Sequence, residues 1–472
     1  MIYGLSTVVG RLLFIFLVPI YTRVFSPEEY GEMSLVLVAM TLVTLLATLA
    51  LDNSAHRWFW DTEADEDRRR TIASWAWCQV GTSVAFALAI SAAAHPLARL
   101  LMGRAGAAPY LVLAAWAVPL TAWSTVVTNW LRMRRRPWAV VGFTLATTVA
   151  SIATTVLLVV VLHRGLRGVF EAQLLSMGAA AAVSLYLLGD WVHPRHFAGA
   201  RLREMLVFAL PLIPAAVAFW INGMGDRYFV QHYVTTAEVG LFQVGYAISA
   251  VVALGTTAFQ QAWGPFALSI HRDAGARPFY AQALLLYLWI GLLGAAAVSV
   301  FSPEILRLFT TPAYLGAWTV VPFLAFSYVM SGLAYIAGLG PSLAKRTAPT
   351  AVAVGVASVL NLALNFVLTP RYGKEGSALA TLLSQAVVPL YLFRSSQRMY
   401  PIPYRFGAAA ALVAAAAGIA GLGLALGGDD PWRAVPLKLA VLALFVPLLF
   451  ALGIVTPGGI RRLRAARPAV DA

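Results

Sequence analysis

A few charged side chains sit where the surrounding sequence is apolar, and any chemistry this chain performs starts with them. Arg11 lies near the middle of the apolar run 2–22. At roughly nine residues, or ~13 Å, from the nearer end, its guanidinium has a long reach to an interface. A central arginine in a bilayer costs about 2.5–3.5 kcal/mol on insertion scales, so it should face a bundle interior or a wet cavity. There its planar fork could take anionic oxygens in pairs while staying charged. Asp226 and Arg227 lie in the run 205–231. Neighbouring residues on a helix point about 100° apart, so each needs its own partner. The pair reads either as functional or as a structural tie from its helix to a neighbour. Asp52, Asn53, His56 and Arg57 follow the run 32–51, and Gln260 and Gln261 hold the equivalent place after 238–259. These residues could line the mouth of a pathway or be ordinary interfacial side chains. Asp52 and Asp226 are the carboxylates available for coupling to a cation or proton.

Other chemistry is absent from the sequence. It holds no P-loop, Gly-x-Ser-x-Gly, His-Glu-x-x-His or Asp-x-Asp motif. Cys78 is the one cysteine, which rules out an internal disulfide and a thiolate metal site. His193 and His196 are the only close histidine pair and fit a loop better than a metal site. No catalytic residue, metal site or cofactor is expected, and the reading is that of a non-enzyme.

The elements that must position these residues are membrane helices. Hydrophobic residues make up 60% of the 472 and charged residues 11%, less than half the roughly 25% of a soluble domain. Apolar segments fall near 2–22, 32–51, 71–92, 110–129, 138–162 and 169–189, then 205–231, 238–259, 281–301, 315–338, 349–368 and 376–393, and finally 407–427 and 434–456. Each is about the 20 residues that a ~30 Å hydrocarbon layer requires. The fold expected is all-α and integral to the membrane, with fourteen transmembrane helices. With the N-terminus placed inside, the inner loops and tail carry 22 Lys and Arg and the outer loops 10, which sets both termini in the cytoplasm. This skew accounts for the net charge of +14 without nucleic acid. The run Arg132-Met133-Arg134-Arg135-Arg136 could meet a phosphorylated headgroup, but it is also what the inside rule alone produces.

The spans repeat. Gly-x-x-Gly-x-x-x-Ala-x-Leu-Leu-Ser begins at Gly165 and again at Gly373, 208 residues later. Ser26-Pro27-Glu28-Glu29-Tyr30-Gly31 is echoed, 209 residues on, by Thr235-Thr236-Ala237-Glu238-Val239-Gly240. Constant spacing predicts two structural copies: an N-lobe over 1–200, a C-lobe over 201–400, and a trailing helix pair with a basic tail over 401–472. Six spans per lobe is an even number, so the lobes enter the bilayer in the same direction and relate by a pseudo-two-fold axis along the membrane normal. Paired halves of this kind point to an alternating-access transporter.

Gly10-Arg11-Leu12-Leu13 followed by Pro19-Ile20-Tyr21-Thr22-Arg23-Val24-Phe25-Ser26-Pro27-Glu28-Glu29-Tyr30-Gly31 resembles the polysaccharide-transport flippases of the multidrug/oligosaccharidyl-lipid/polysaccharide exporter superfamily. Leu210-Pro211-Leu212-Ile213-Pro214, Asp226-Arg227-Tyr228 and Glu238-Val239-Gly240-Leu241-Phe242 resemble that family's second half. The resemblance implies a bacterial inner-membrane protein that moves a polyprenyl-diphosphate-linked oligosaccharide to the outer leaflet. It implies that Arg11 lines a cationic cavity and, with Arg227 assisting, holds the diphosphate between the lobes, with Asp226, Asp52 and Arg57 as further polar positions. The expected partners are the lipid-linked glycan, membrane lipids and the polymerase or glycosyltransferases of the same pathway. The N-terminus is shorter than is usual in that family, which leaves a start upstream of Met1 open. A cation-coupled multidrug exporter of the same superfamily and, further off, an integral-membrane glycosyltransferase or polymerase are the alternatives.

Overall fold

In hydrocarbon a backbone N–H or C=O has no water to bond, so a spanning segment must close its hydrogen bonds internally. The computed structural model describes residues 17–454 apart from 274 and 427–430, and among these no residue is in a strand. Twelve helices among the described residues are long and apolar enough to cross a membrane, from Pro27–Trp60 to Ala434–Ala451. The segment expected over 2–22 lies mostly outside the described residues; its described part is the helix Leu17–Val24. The segments 349–368 and 376–393 fall together in Ala348–Met399, 52 residues interrupted by non-helical geometry at Gly373. At 1.5 Å per residue that helix would be about 78 Å long, well over twice the hydrocarbon thickness, and the break at Gly373 divides it.

The chain forms two compact units. One runs to Val244 and takes in Thr310–Tyr314 and Leu362–Ser377; the other is Gly245–Phe309, Leu315–Asn361 and the chain from Ala378 onward. In the first unit Leu51, Phe59, Ile72, Trp75 and Val126 belong to one buried cluster. In the second, Tyr280, Leu284, Leu288, Val329 and Leu412 belong to another.

Both sequence echoes have a local cause. Gly165 and Gly373 have φ of 58° and 57°, the left-handed region that glycine enters without steric cost. At each, the chain leaves one helix and begins the next. Three residues on, a Cβ at Gly376 would run into the Leu368 carbonyl oxygen, and one at Gly168 would stand 2.8 Å from Arg164 Cβ and 3.2 Å from the Leu158 carbonyl oxygen. Farther along, Ser176 Oγ donates to the Gln173 carbonyl at 3.2 Å and Ser384 Oγ to the Thr381 carbonyl at 3.0 Å. The second echo is a helix cap. Ser26 Oγ accepts from the Glu29 amide at 3.3 Å, closing a capping box, and Thr235 Oγ1 accepts from the Glu238 amide at 3.3 Å. Such caps satisfy amides that the first helical turn leaves open.

The capped helices Pro27–Thr48 and Thr236–Ser269 meet at their starts, within the first unit, in a reciprocal contact. A Cβ on Gly31 would fall on the Thr236 carbonyl oxygen and 3.1 Å from the Gly240 nitrogen. A Cβ on Gly240 would fall on the Pro27 carbonyl oxygen and 3.2 Å from the Gly31 nitrogen. Ser34 Oγ donates to Gln243 Oε1 at 3.2 Å across 209 residues. Gly31 thus lies against Gly240 and Ser34 against Gln243, each pair 209 residues apart.

A methyl group at this crossing has nowhere to go. Gly240→Ala is expected to cost about 1–3 kcal/mol by overpacking, read as a lowered thermal-unfolding midpoint in detergent. Gly81→Ala, at a position with nothing within 4 Å of the added carbon, should leave that midpoint unchanged or raised.

Candidate functional site

The helices Ile213–Met224 and Asp226–Tyr233 join at Gly225, and the joint delivers Asp226 and Arg227 into the interior of the first unit. The two side chains are 2% and 1% exposed. As their directions on the helix require, they find different partners. Arg227 Nε and Nη2 both donate to Gln243 Oε1, at 3.1 and 3.0 Å, and Nη1 donates to the Gly223 carbonyl at 3.0 Å. Its guanidinium carbon stands 5.3 Å from the centre of the Phe242 ring. Gln243 Oε1 also accepts from Ser34, so Arg227 is bound directly to the reciprocal crossing.

Asp226 turns the other way. Its Oδ1 accepts from Asn365 Nδ2 at 3.0 Å. The side-chain oxygen Oδ1 of Asn365 accepts from Ser377 Oγ at 2.6 Å and from Thr369 Oγ1 at 3.0 Å. Asn365, Thr369 and Ser377 are all 0% exposed. Asn365 and Ser377 stand on the two sides of the Gly373 break, so the motif glycine folds both back onto Asp226. The cluster gathers one carboxylate with amide and hydroxyl oxygens, the donor types that hard cations take. Among the described residues no group of three or more His, Cys, Asp and Glu side chains could hold a metal ion.

Arg11 lies outside the described residues. Asp52 and Arg57 stand on the helix Leu51–Trp60, which follows two left-handed residues, Leu49 and Ala50, with φ of 51° and 52°. Asp52 is half-buried and accepts from Asn53 at 3.4 Å, while Arg57 faces Asp61 at 3.8 Å with both side chains more than half exposed. His56 is 3.3 Å from Asn129. From the arginine run, Arg134 stacks over Trp191 and Arg135 over Trp60, at 5.2 Å each. Glu171 is paired with Arg164 and Arg167 at 2.9 and 2.8 Å. Asn361 donates to Ser384, the last residue of the second motif copy, at 3.3 Å.

Three elements of this arrangement are new relative to the sequence reading. Gln243 is the acceptor that fixes Arg227; its signal was its position 209 residues after Ser34. Glu32, 1% exposed, pairs with Arg104. In the second unit Lys438, 0% exposed, donates to Glu304 Oε1 at 2.6 Å and to the Val300 carbonyl at 3.0 Å. Each of these ion pairs removes a charge that lipid could not solvate.

The sequence matches the family of polysaccharide biosynthesis proteins over residues 1–271, more than half its length. The chain belongs to that family. No curated protein matches it. Among solved structures, this family member resembles the lipid II flippase MurJ in an inward closed conformation, with a TM-score of 0.76 at 14% identity, covering 96% of this chain and 99% of that one. It also resembles a multidrug resistance MATE family transporter of the MOP superfamily. The inward-facing form of that transporter gives a TM-score of 0.67 at 16% identity, covering 85% and 95% of the two chains. The outward-facing form gives 0.61 at 16% identity, covering 87% and 95%. At these identities the likeness is one of fold.

Removing the shared acceptor should be costly. Gln243→Leu leaves two guanidinium nitrogens and the Ser34 hydroxyl to find new partners, and is expected to lose about 1–3 kcal/mol, measured by unfolding in mixed detergent. Gln243→Glu retains the acceptor oxygens and should recover most of that loss.

Proposed function

We propose that this protein is a flippase that carries a polyprenyl-diphosphate-linked oligosaccharide from the cytoplasmic to the outer leaflet of a bacterial inner membrane, for cell-surface polysaccharide synthesis. The observation that carries this reading is membership of the polysaccharide biosynthesis family in a chain built of membrane-spanning helices. The fold shared with a lipid II flippase supports it. An oligosaccharide cannot enter hydrocarbon unaided, because each hydroxyl would give up its hydrogen bonds to water. A polar path through protein lets the headgroup cross while its lipid tail stays in the bilayer, and alternating access exposes that path to one side at a time.

In this reading Arg11 binds the diphosphate, by the fork geometry that suits guanidinium to phosphate. Arg227, with all three nitrogens engaged, assists by holding its helix to the neighbouring one. Asp226, set among amide and hydroxyl oxygens, and Asp52 are the candidates for coupling transport to a cation or proton. The protein performs no bond chemistry itself and works beside the glycosyltransferases or polymerase that make and use its cargo. A second reading, a cation-coupled multidrug exporter, is favoured by the fold shared with the MATE transporters.

Arg11→Ala separates the two. In cells depending on this protein, an Arg11→Ala variant that inserts normally is expected to abolish surface glycan and to leave the lipid-linked precursor on the cytoplasmic face, with Arg11→Lys partly active. Undiminished surface glycan in Arg11→Ala would remove that residue from the mechanism. Unchanged surface glycan in cells lacking the protein, with raised sensitivity to several unrelated drugs, would favour the exporter.

A further inference from the structure

Two kinds of arginine stand at the end of the first unit where the helices Leu51–Trp60 and Ala108–Met133 finish. Arg57, Arg69, Arg70, Arg195 and Arg201 each have a carboxylate partner, respectively Asp61, Asp190, Glu66 with Asp67, Asp190, and Glu204. Among the described residues no carboxylate pairs with Arg134, Arg135 or Arg136, and all three are exposed. Aromatic rings hold two of them instead, Trp191 with Arg134 and Trp60 with Arg135. Arg135 also sits against its backbone preference. Its φ of 54° is left-handed, and the amides of Arg135 and Arg136 close the helix end on the carbonyls of Arg132 and Leu131, both at 3.0 Å. Glycine is the usual residue at that position. A cation near a helix C-terminus is favourable in itself, but Arg132 and Arg134 already supply that charge.

The span that follows, Pro137–Val161, is peripheral: 17% of its apolar stretch is buried, against 56% in the span before it. Trp138, Gly142, Ala146, Val149, Ala153 and Leu157 form an exposed stripe at helical spacing. From Trp138 to Leu157 the rise is about 28 Å, close to the ~30 Å hydrocarbon layer. Trp138, 72% exposed, therefore stands at one rim of that layer, the level that indole rings prefer. The three arginines lie just beyond it, among headgroups. Phosphodiester oxygens are the anions available at that depth, and a guanidinium takes them in pairs. We infer that Arg134, Arg135 and Arg136, with Trp60 and Trp138 beside them, bind the headgroup of an anionic phospholipid. On the orientation read from the basic residues, the site faces the cytoplasmic leaflet. Its occupant is a resident membrane lipid, since the exposed stripe opens the site to the bulk bilayer.

The test is photolabelling of the whole protein in phosphatidylcholine nanodiscs by a trace of phosphatidylglycerol with a diazirine near its headgroup, followed by peptide mapping. Label is expected within 131–143 and should be competed by unlabelled phosphatidylglycerol but not by phosphatidylethanolamine. Arg134→Gln with Arg135→Gly removes two charges and relieves the left-handed strain, so the unfolding midpoint should change little. Labelling of 131–143 should then fall about twenty-fivefold, from roughly fivefold for each basic residue that faces an anionic headgroup. Arg70→Gln with Arg201→Gln removes two carboxylate-paired charges from the same end and should lower labelling less than about twofold. An equal loss in the two double variants would reduce the site to general surface charge and overturn it, as would equal competition by phosphatidylethanolamine. Competition by a polyprenyl diphosphate at least as strong as that by phosphatidylglycerol would give the arginines to the carried lipid and overturn the phospholipid assignment.

Discussion

Hydrocarbon solvates neither a guanidinium nor a carboxylate, and this chain places one of each side by side in the interior of its first unit. Both must therefore be satisfied by protein. Arg227 directs its three nitrogens to Gln243 and Gly223, and Asp226 receives the amide of Asn365. Leaving one such group without a partner costs about 1–3 kcal/mol, more for a charged one, so the helix carrying them is held in one place. The frame built around this demand reaches from the first capped helix through Ser34 and Gln243 to Asp226, and on to Asn365 and Ser377.

The frame is also where the two sequence echoes acquire physical meaning. Gly31 and Gly240 let two backbones approach within contact distance, and the caps beginning at Ser26 and Thr235 set the start of each helix in the same way. Gly373 supplies the left-handed turn that folds Asn365 and Ser377 back toward Asp226, as Gly165 supplies the same turn in the first copy. Short motifs recur because they encode backbone geometry that few residues can adopt. The reciprocal contact brings together residues that echo each other 209 positions apart in the chain.

Hydropathy was enough to find the twelve spanning helices among the described residues, because a spanning segment must be apolar over its whole length. It also separated 349–368 from 376–393, and the non-helical geometry at Gly373 divides Ala348–Met399 between those two segments. Asp226 and Arg227 stood out because charge in an apolar run is rare. Their partners did not, since Asn365 lies 139 residues from Asp226 and polar side chains in a membrane helix announce no partner by themselves. The pairs Glu32–Arg104 and Lys438–Glu304 were hidden for the same reason: each joins residues far apart in the chain. Arg11 stands on sequence alone.

Reconstitution of the purified protein in liposomes with a polyprenyl-diphosphate-linked oligosaccharide, all accessible sugar on one face being first removed by an impermeant enzyme, tests the central claim most directly. The account predicts that the protected sugar becomes accessible much faster than in protein-free liposomes, with the glycan chemically unchanged. Sugar that stays protected, or that is transferred to another acceptor, would contradict it.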